Sequence, residues 1–182
     1  EDRISQLARY NVGTILDYCV EGKENDNDFE KTKDEIIQSI IKAKENQHIP
    51  FSVFKITGLG PSSIIRKANY HEVLDDKEKI ALKSIKKRVN EICKKAYDNQ
   101  VSIFIDAEDS WFQDFIDELA LDMMLTYNNK SPIIFNTIQL YRHDRLLYMK
   151  NLITKCKDSK VKCGLKLVRG AYMEKEREEA KI

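Results

Sequence analysis

Short β-rich runs and longer helical segments alternate along the whole chain, and this alternation restricts the fold more than any other feature. Residues 12–16, 51–56, 101–105, 132–138 and 164–168 are rich in β-branched and aromatic side chains and read as strands. The segments between them are charged, with apolar residues at helical spacing. A strand, a helix and a further strand in strict alternation predict a parallel sheet joined by right-handed crossovers. The order predicted is β, α, β, α, β, α, β, α, β, followed by a charged helical start over residues 173–182.

The clearest helical segment is 110–127. Phe112, Ile116, Leu119, Ala120, Met123 and Tyr127 fall there on one helical face, and Ser110 with Gln113 predicts a capping box. Residues 74–97 repeat the pattern with Leu82, Ile85, Val89, Ile92, Cys93 and Ala96, and Asp75 or Asp76 serves as N-cap. Phe29, Ile36, Ile37, Ile40 and Ala43 mark a helix over 29–46; Leu146, Met149, Ile153 and Cys156 mark one over 142–157. The polar run 22–28 reads as a loop. Strand ends near Leu16, Ile56, Ile105, Ile138 and Val168 are about 30 to 50 residues apart, which suits the units of a (β/α)8 TIM-type barrel. About the first five such units are present. A doubly wound open sheet is the competing architecture, but no Gly-rich phosphate turn follows the first strand.

Charge and composition exclude several functions. Lys plus Arg total 31 against 30 Asp plus Glu, a net charge of +1, with the signs interspersed, so no nucleic-acid footprint is expected. Purely apolar stretches are as short as Ile133-Ile134-Phe135, where a membrane helix needs roughly 20 residues. Glu1-Asp2-Arg3 carries no secretory signal, so an intracellular, cytoplasmic chain is expected. Cys19, Cys93, Cys156 and Cys163 show no C-x-x-C pair and read as structural thiols. His48, His71 and His143 are scattered in polar stretches, and no metal site is expected.

Every expected strand carries polar residues at its carboxyl end, the rim where parallel α/β folds build active sites. These are Asp17 and Tyr18; Lys55 and Thr57; Asp106 and Glu108; Asn136, Gln139 and Tyr141; and Lys166, Arg169 and Tyr172. Lys55 and Lys166 are the costliest, because alternation puts each on the face opposite its apolar neighbours. A lysine facing a barrel mouth must be paired or bind an anion; the alternative is that it snorkels outward between helices. Other features admit plainer readings. Gly58-Leu59-Gly60-Pro61 reads as a turn, and Tyr141 to Arg145 as either a phosphate contact or a solvated helical turn. Glu108 and Asp109 read as an acid and base pair or as partners of a helix dipole, Trp111 as packing, and Glu174 to Glu179 as an exposed helix face.

Four blocks together resemble a known family. They are Phe54-Lys55-Ile56-Thr57-Gly58-Leu59-Gly60, Phe104-Ile105-Asp106-Ala107-Glu108, Thr137-Ile138-Gln139-Leu140-Tyr141 and Leu165-Lys166-Leu167-Val168-Arg169-Gly170-Ala171-Tyr172. Their order and spacing resemble the proline dehydrogenase barrel from about Phe51 onward. Ile15-Leu16-Asp17-Tyr18 matches the family's first strand only loosely, so no role passes to Asp17.

The resemblance implies an FAD enzyme that oxidises L-proline to Δ1-pyrroline-5-carboxylate and passes electrons to a quinone. By motif position, Lys166 and Gln139 would contact the flavin, and Val168, Arg169, Gly170 and Ala171 would bring backbone close to it. Lys55 would complement the proline carboxylate, Asp106 would balance the cations of that pocket, and Tyr172 would cover it. The family's later strands, and the final helix with its arginine pair, have no counterpart before Ile182. An N-terminal portion of a longer barrel is therefore expected, weak in FAD binding and inactive without its C-terminal portion. The quinone implies peripheral association of the parent protein at the inner membrane. A non-catalytic scaffold module and a Schiff-base lyase using Lys166 or Lys55 are the alternatives.

Overall fold

The computed structural model describes residues 2–18 and 25–181. Strands β1 (Ile15–Asp17), β2 (Phe51–Phe54), β3 (Ser102–Ile105), β4 (Ile134–Gln139) and β5 (Leu165–Val168) form one sheet in chain order. Every pairing in it is parallel. Strand order without reversal is the barrel pattern, since a doubly wound sheet turns back on itself at a switch point. The sheet is an open arc: among the described residues β1 pairs only with β2, and β5 only with β4.

The helices are α1 (Asp2–Ala8), α2 (Asp26–Glu45), α3 (Ser62–Asn69), α4 (Asp76–Asn99), α5 (Ser110–Tyr127), α6 (Arg145–Asp158) and α7 (Met173–Glu179). Four of them occupy the long periodic segments, while α1 and α3 are additions too short to show a period. Helix α2 starts inside the run expected to be a loop: Asn25 caps it by accepting from the Asp28 N–H. Residues 22–24 of that run, and Cys19, lie outside the described residues. Asp75 caps α4 in a full capping box with Glu78.

The capping box expected at Ser110 and Gln113 does not form. Asp109 takes the N-cap position without a capping hydrogen bond from its side chain, and Gln113 Oε1 instead accepts from the Glu108 N–H at 2.9 Å. The Glu176 carboxylate accepts from both the N–H and the hydroxyl of Ser110, each at 2.7 Å. A carboxylate from a distant helix thus satisfies a donor that a local cap would have served.

Register explains which residues meet. Asp17 pairs with Val53, Val53 with Phe104, Phe104 with Phe135, and Thr137 with Lys166, so these side chains share one face. On this inner face Phe51 and Phe104 stack with centroids 4.4 Å apart, and Phe135 meets both edge-on. The other face carries Phe54, Ile103, Ile105, Ile134 and Ile138, all fully buried against α2, α4, α5 and α6. Gly164 lets β5 approach β4, since a Cβ there would collide with the Ile134 carbonyl oxygen.

Buried polar groups staple the helices to this outer face. Arg88 of α4 donates to the Leu59 carbonyl at 3.0 Å and to Glu30 at 2.7 Å, and also pairs with Asp26. Asp117 of α5 accepts from Gln113 at 2.8 Å, Asn136 at 2.9 Å and Arg145 at 2.6 Å. Arg145 also reaches Asp114 and Asp144, and its guanidinium lies 4.8 Å from the Tyr148 ring centroid. The phosphate reading of residues 141–145 is thereby replaced by a structural one. Cys93 and Cys156 are buried and Cys163 half-buried; all are free thiols, and burial pushes Cys163 up to about 12.

Candidate active site

Alternation carries the inner face past the ends of the strands. Lys55 keeps extended backbone (φ −111°, ψ 141°) one residue beyond β2, before the chain winds into a 3-10 turn over Ile56–Leu59. Asp106 continues β3, its N–H bonded to the Phe54 carbonyl at 2.9 Å. Both side chains therefore stay on the face of Phe104 and Lys166.

Asp17, Lys55, Asp106, Thr137, Gln139, Lys166 and Val168 line a cavity of about 280 Å³ at the carboxyl ends of the strands, with Gly170, Ala171 and Tyr172 at its edge. Lys166 Nζ donates to Asp106 Oδ1 at 2.8 Å and lies 5.3 Å from the Phe104 ring centroid. The outward-snorkelling alternative is excluded for Lys166 by this pairing and for Lys55 by its place in the cavity wall.

The electrostatics follow from partial burial of mixed charges. Burial raises the Asp17 carboxyl, with Lys55 opposing, Asp106 reinforcing and Lys166 opposing. Burial likewise raises the Tyr172 hydroxyl, while the nearby Lys55 ammonium pulls the other way. Burial pushes the Glu108 carboxyl up to about 7, against bonds from Thr57 and the charge of Lys55. The Gln139 amide donates to the Glu108 carbonyl at 2.6 Å, while its Oε1 is buried without a well-formed hydrogen bond.

Eight of the nine expected site residues line this one cavity: Lys55, Asp106, Tyr172, Gln139, Lys166, Val168, Gly170 and Ala171. Arg169 does not; it is exposed beyond β5. Asp17 joins the cavity although it carried no expected role. Its place at the carboxyl end of the first strand was the available signal, and register with Val53 puts it on the inner face.

Over residues 1–182 the chain matches the family model for proline dehydrogenase. The chain belongs to the proline dehydrogenase family. It is 30% identical over 171 residues to the carbapenem antibiotics biosynthesis protein CarD of Pectobacterium carotovorum subsp. carotovorum, covering 94% of this chain and 46% of that protein. It is 28% identical to proline dehydrogenase 1, mitochondrial, of Dictyostelium discoideum, covering 95% of this chain and 37% of that one. The chain thus spans less than half the length of these two relatives. The crystal structure of proline utilization A (PutA) from Bdellovibrio bacteriovorus, inactivated by N-propargylglycine, superposes with a TM-score of 0.79 at 18% identity. That match covers 98% of this chain and 20% of PutA. The α/β arc with five parallel strands is therefore the fold of part of that protein.

Proposed function

We propose that this proline dehydrogenase family chain forms one flank of a flavin site where L-proline is oxidised to Δ1-pyrroline-5-carboxylate. The observation that carries the reading is the convergence of Lys55, Asp106, Lys166 and Gln139 on one cavity. The site fits an FAD: a cation sits at one wall, a buried acceptor on Gln139 lacks a donor, and a Cβ on Gly170 would meet nothing within 4 Å. When bound, the flavin supplies a hydride acceptor for the carbon next to the proline nitrogen.

The chain's own residues bind and orient. Lys166 would supply positive charge to stabilise a reduced flavin, and Asp106 holds that ammonium in place through the 2.8 Å pair. Gln139, with backbone from Val168 through Ala171, would contact the cofactor, Arg169 reaching it from outside the cavity. Lys55 would take the proline carboxylate, and Tyr172 would cover the substrate and exclude water. The electron acceptor proposed is a quinone, which would bring the full-length protein to a membrane surface. Among the described residues no helix is long and apolar enough to cross a membrane.

The test is purification of the full-length protein with assay of flavin absorbance and proline-dependent dye reduction. Both are expected. Absence of both, with borohydride trapping of a carbonyl substrate on Lys55 or Lys166, establishes the Schiff-base alternative instead.

A further inference from the structure

Glu108 makes a set of bonds that the roles above do not use. Its side chain is buried, and its carboxylate engages the turn after β2: Thr57 N–H donates to Oε1 at 3.1 Å, the Thr57 hydroxyl makes a short bond with Oε2, and the Ile56 backbone also interacts with it. Its main chain is equally committed. The N–H donates to Gln113 of α5, and the carbonyl accepts from Gln139 at 2.6 Å. One residue therefore joins the turn after β2, the first turn of α5 and the end of β4.

The segments it joins carry two of the site residues. Lys55 lies outside β2, two positions before Thr57, and the far end of its turn is held where Arg88 grips the Leu59 carbonyl. The near end is held by Glu108. One N–H of the Gln139 amide is spent on Glu108, and its Oε1 has no well-formed hydrogen bond among the described residues. A carboxylate in so buried a place is expensive, and burial raises its pKa to about 7. A glutamine has nearly the same shape and no such cost, so the carboxylate is a local conflict of the kind that collects at functional sites.

We propose that Glu108 is a positioning residue that holds Lys55 and Gln139 in mutual register. Its carboxylate fixes the turn that follows Lys55, and its main-chain carbonyl aims the Gln139 amide. The proposal rests on the reading of this cavity as the proline and flavin site.

The experiment uses the full-length protein with Glu108→Ala, Thr57→Val and Thr57→Ser. Hydrogen–deuterium exchange over residues 55–59 is measured beside flavin content, kcat and KM for proline. Thr57→Val keeps the carboxylate and removes one donor. It should speed exchange in that segment and raise KM about tenfold, the scale of one hydrogen bond to a charged acceptor, with kcat changed less than about twofold. Glu108→Ala should do the same more strongly, and Thr57→Ser, which keeps the hydroxyl, should restore both readouts. If Glu108→Ala does not fold, the threonine pair decides alone. Faster exchange with unchanged KM makes Glu108 a structural residue only and overturns the proposal; so does unchanged exchange in Thr57→Val. A wild-type protein without flavin or proline-dependent reduction overturns the functional reading, and the exchange measurement still decides whether the clamp exists.

Discussion

Two charged clusters lie on opposite faces of the same sheet, and they differ in exposure rather than composition. On the outer face Asp117 and Arg145 have side chains 5% and 6% exposed, and their bonding capacity is consumed by Gln113, Asn136, Asp114, Asp144 and each other. On the inner face Asp106 and Lys166 are 22% and 29% exposed and border an open cavity. Closed networks of this kind hold helices to a sheet, whereas open ones have chemistry left to offer.

Breaking the outer cluster should have the largest effect. Arg145→Met strands the Asp117 carboxylate and is expected to cost about 3 to 5 kcal/mol in chemical denaturation of the full-length protein. KM for proline should be unchanged in the folded fraction. A variant of normal stability with impaired proline binding would merge the two clusters into one functional unit.

Glu108 supplies the next effect, through pH. Its carboxyl is raised from 4.5 to about 7, so between those values the folded chain keeps a proton that the unfolded chain releases. This contribution is complete below about 4.5 and is lost as pH rises through about 7, on the order of 3 kcal/mol in all. Glu108→Gln should flatten that part of the stability curve. Parallel curves for the two proteins would show that the carboxylate is not desolvated.

Opening the inner cluster should leave stability nearly untouched. Lys55→Met and Asp106→Ala are each expected to lower kcat/KM about 100-fold, equivalent to roughly 2.7 kcal/mol, with melting temperature unchanged. A large drop in melting temperature would assign these residues to the scaffold instead. At the small end, Arg66 and Glu179 pair at 2.8 Å with side chains 48% and 39% exposed. Arg66→Ala should change stability by at most about 0.5 kcal/mol.

The inner cluster was legible because strand alternation is a local rule. Lys166 beside Leu165 and Leu167, and Asp106 after Ile105, announce their face without knowledge of neighbours. Asp17 was placed on the rim but given no role because its motif match is loose, and its register with Val53 puts it on the same face. The outer cluster was invisible for a different reason. Arg145 and Asp117 are separated by 28 positions; Arg145 reads alone as a phosphate contact or a solvated helical turn, and nothing in the sequence singles out Asp117. Glu176 was likewise read as surface, yet it caps α5 from 66 positions away.

Period and punctuation in the amino-acid chain alone determined the alternating units, the parallel sheet and the face on which Lys55, Asp106, Gln139 and Lys166 stand. Those properties depend on backbone geometry within a few residues. Tertiary structure alone decided which charges are closed into networks and which border open space. It replaced the expected Ser110 cap with Glu176, turned Glu108 toward Thr57 and buried Arg145 against Asp117. Desolvation and hydrogen-bond satisfaction belong to the packed surroundings of a group, and a side chain's own position in sequence does not contain them.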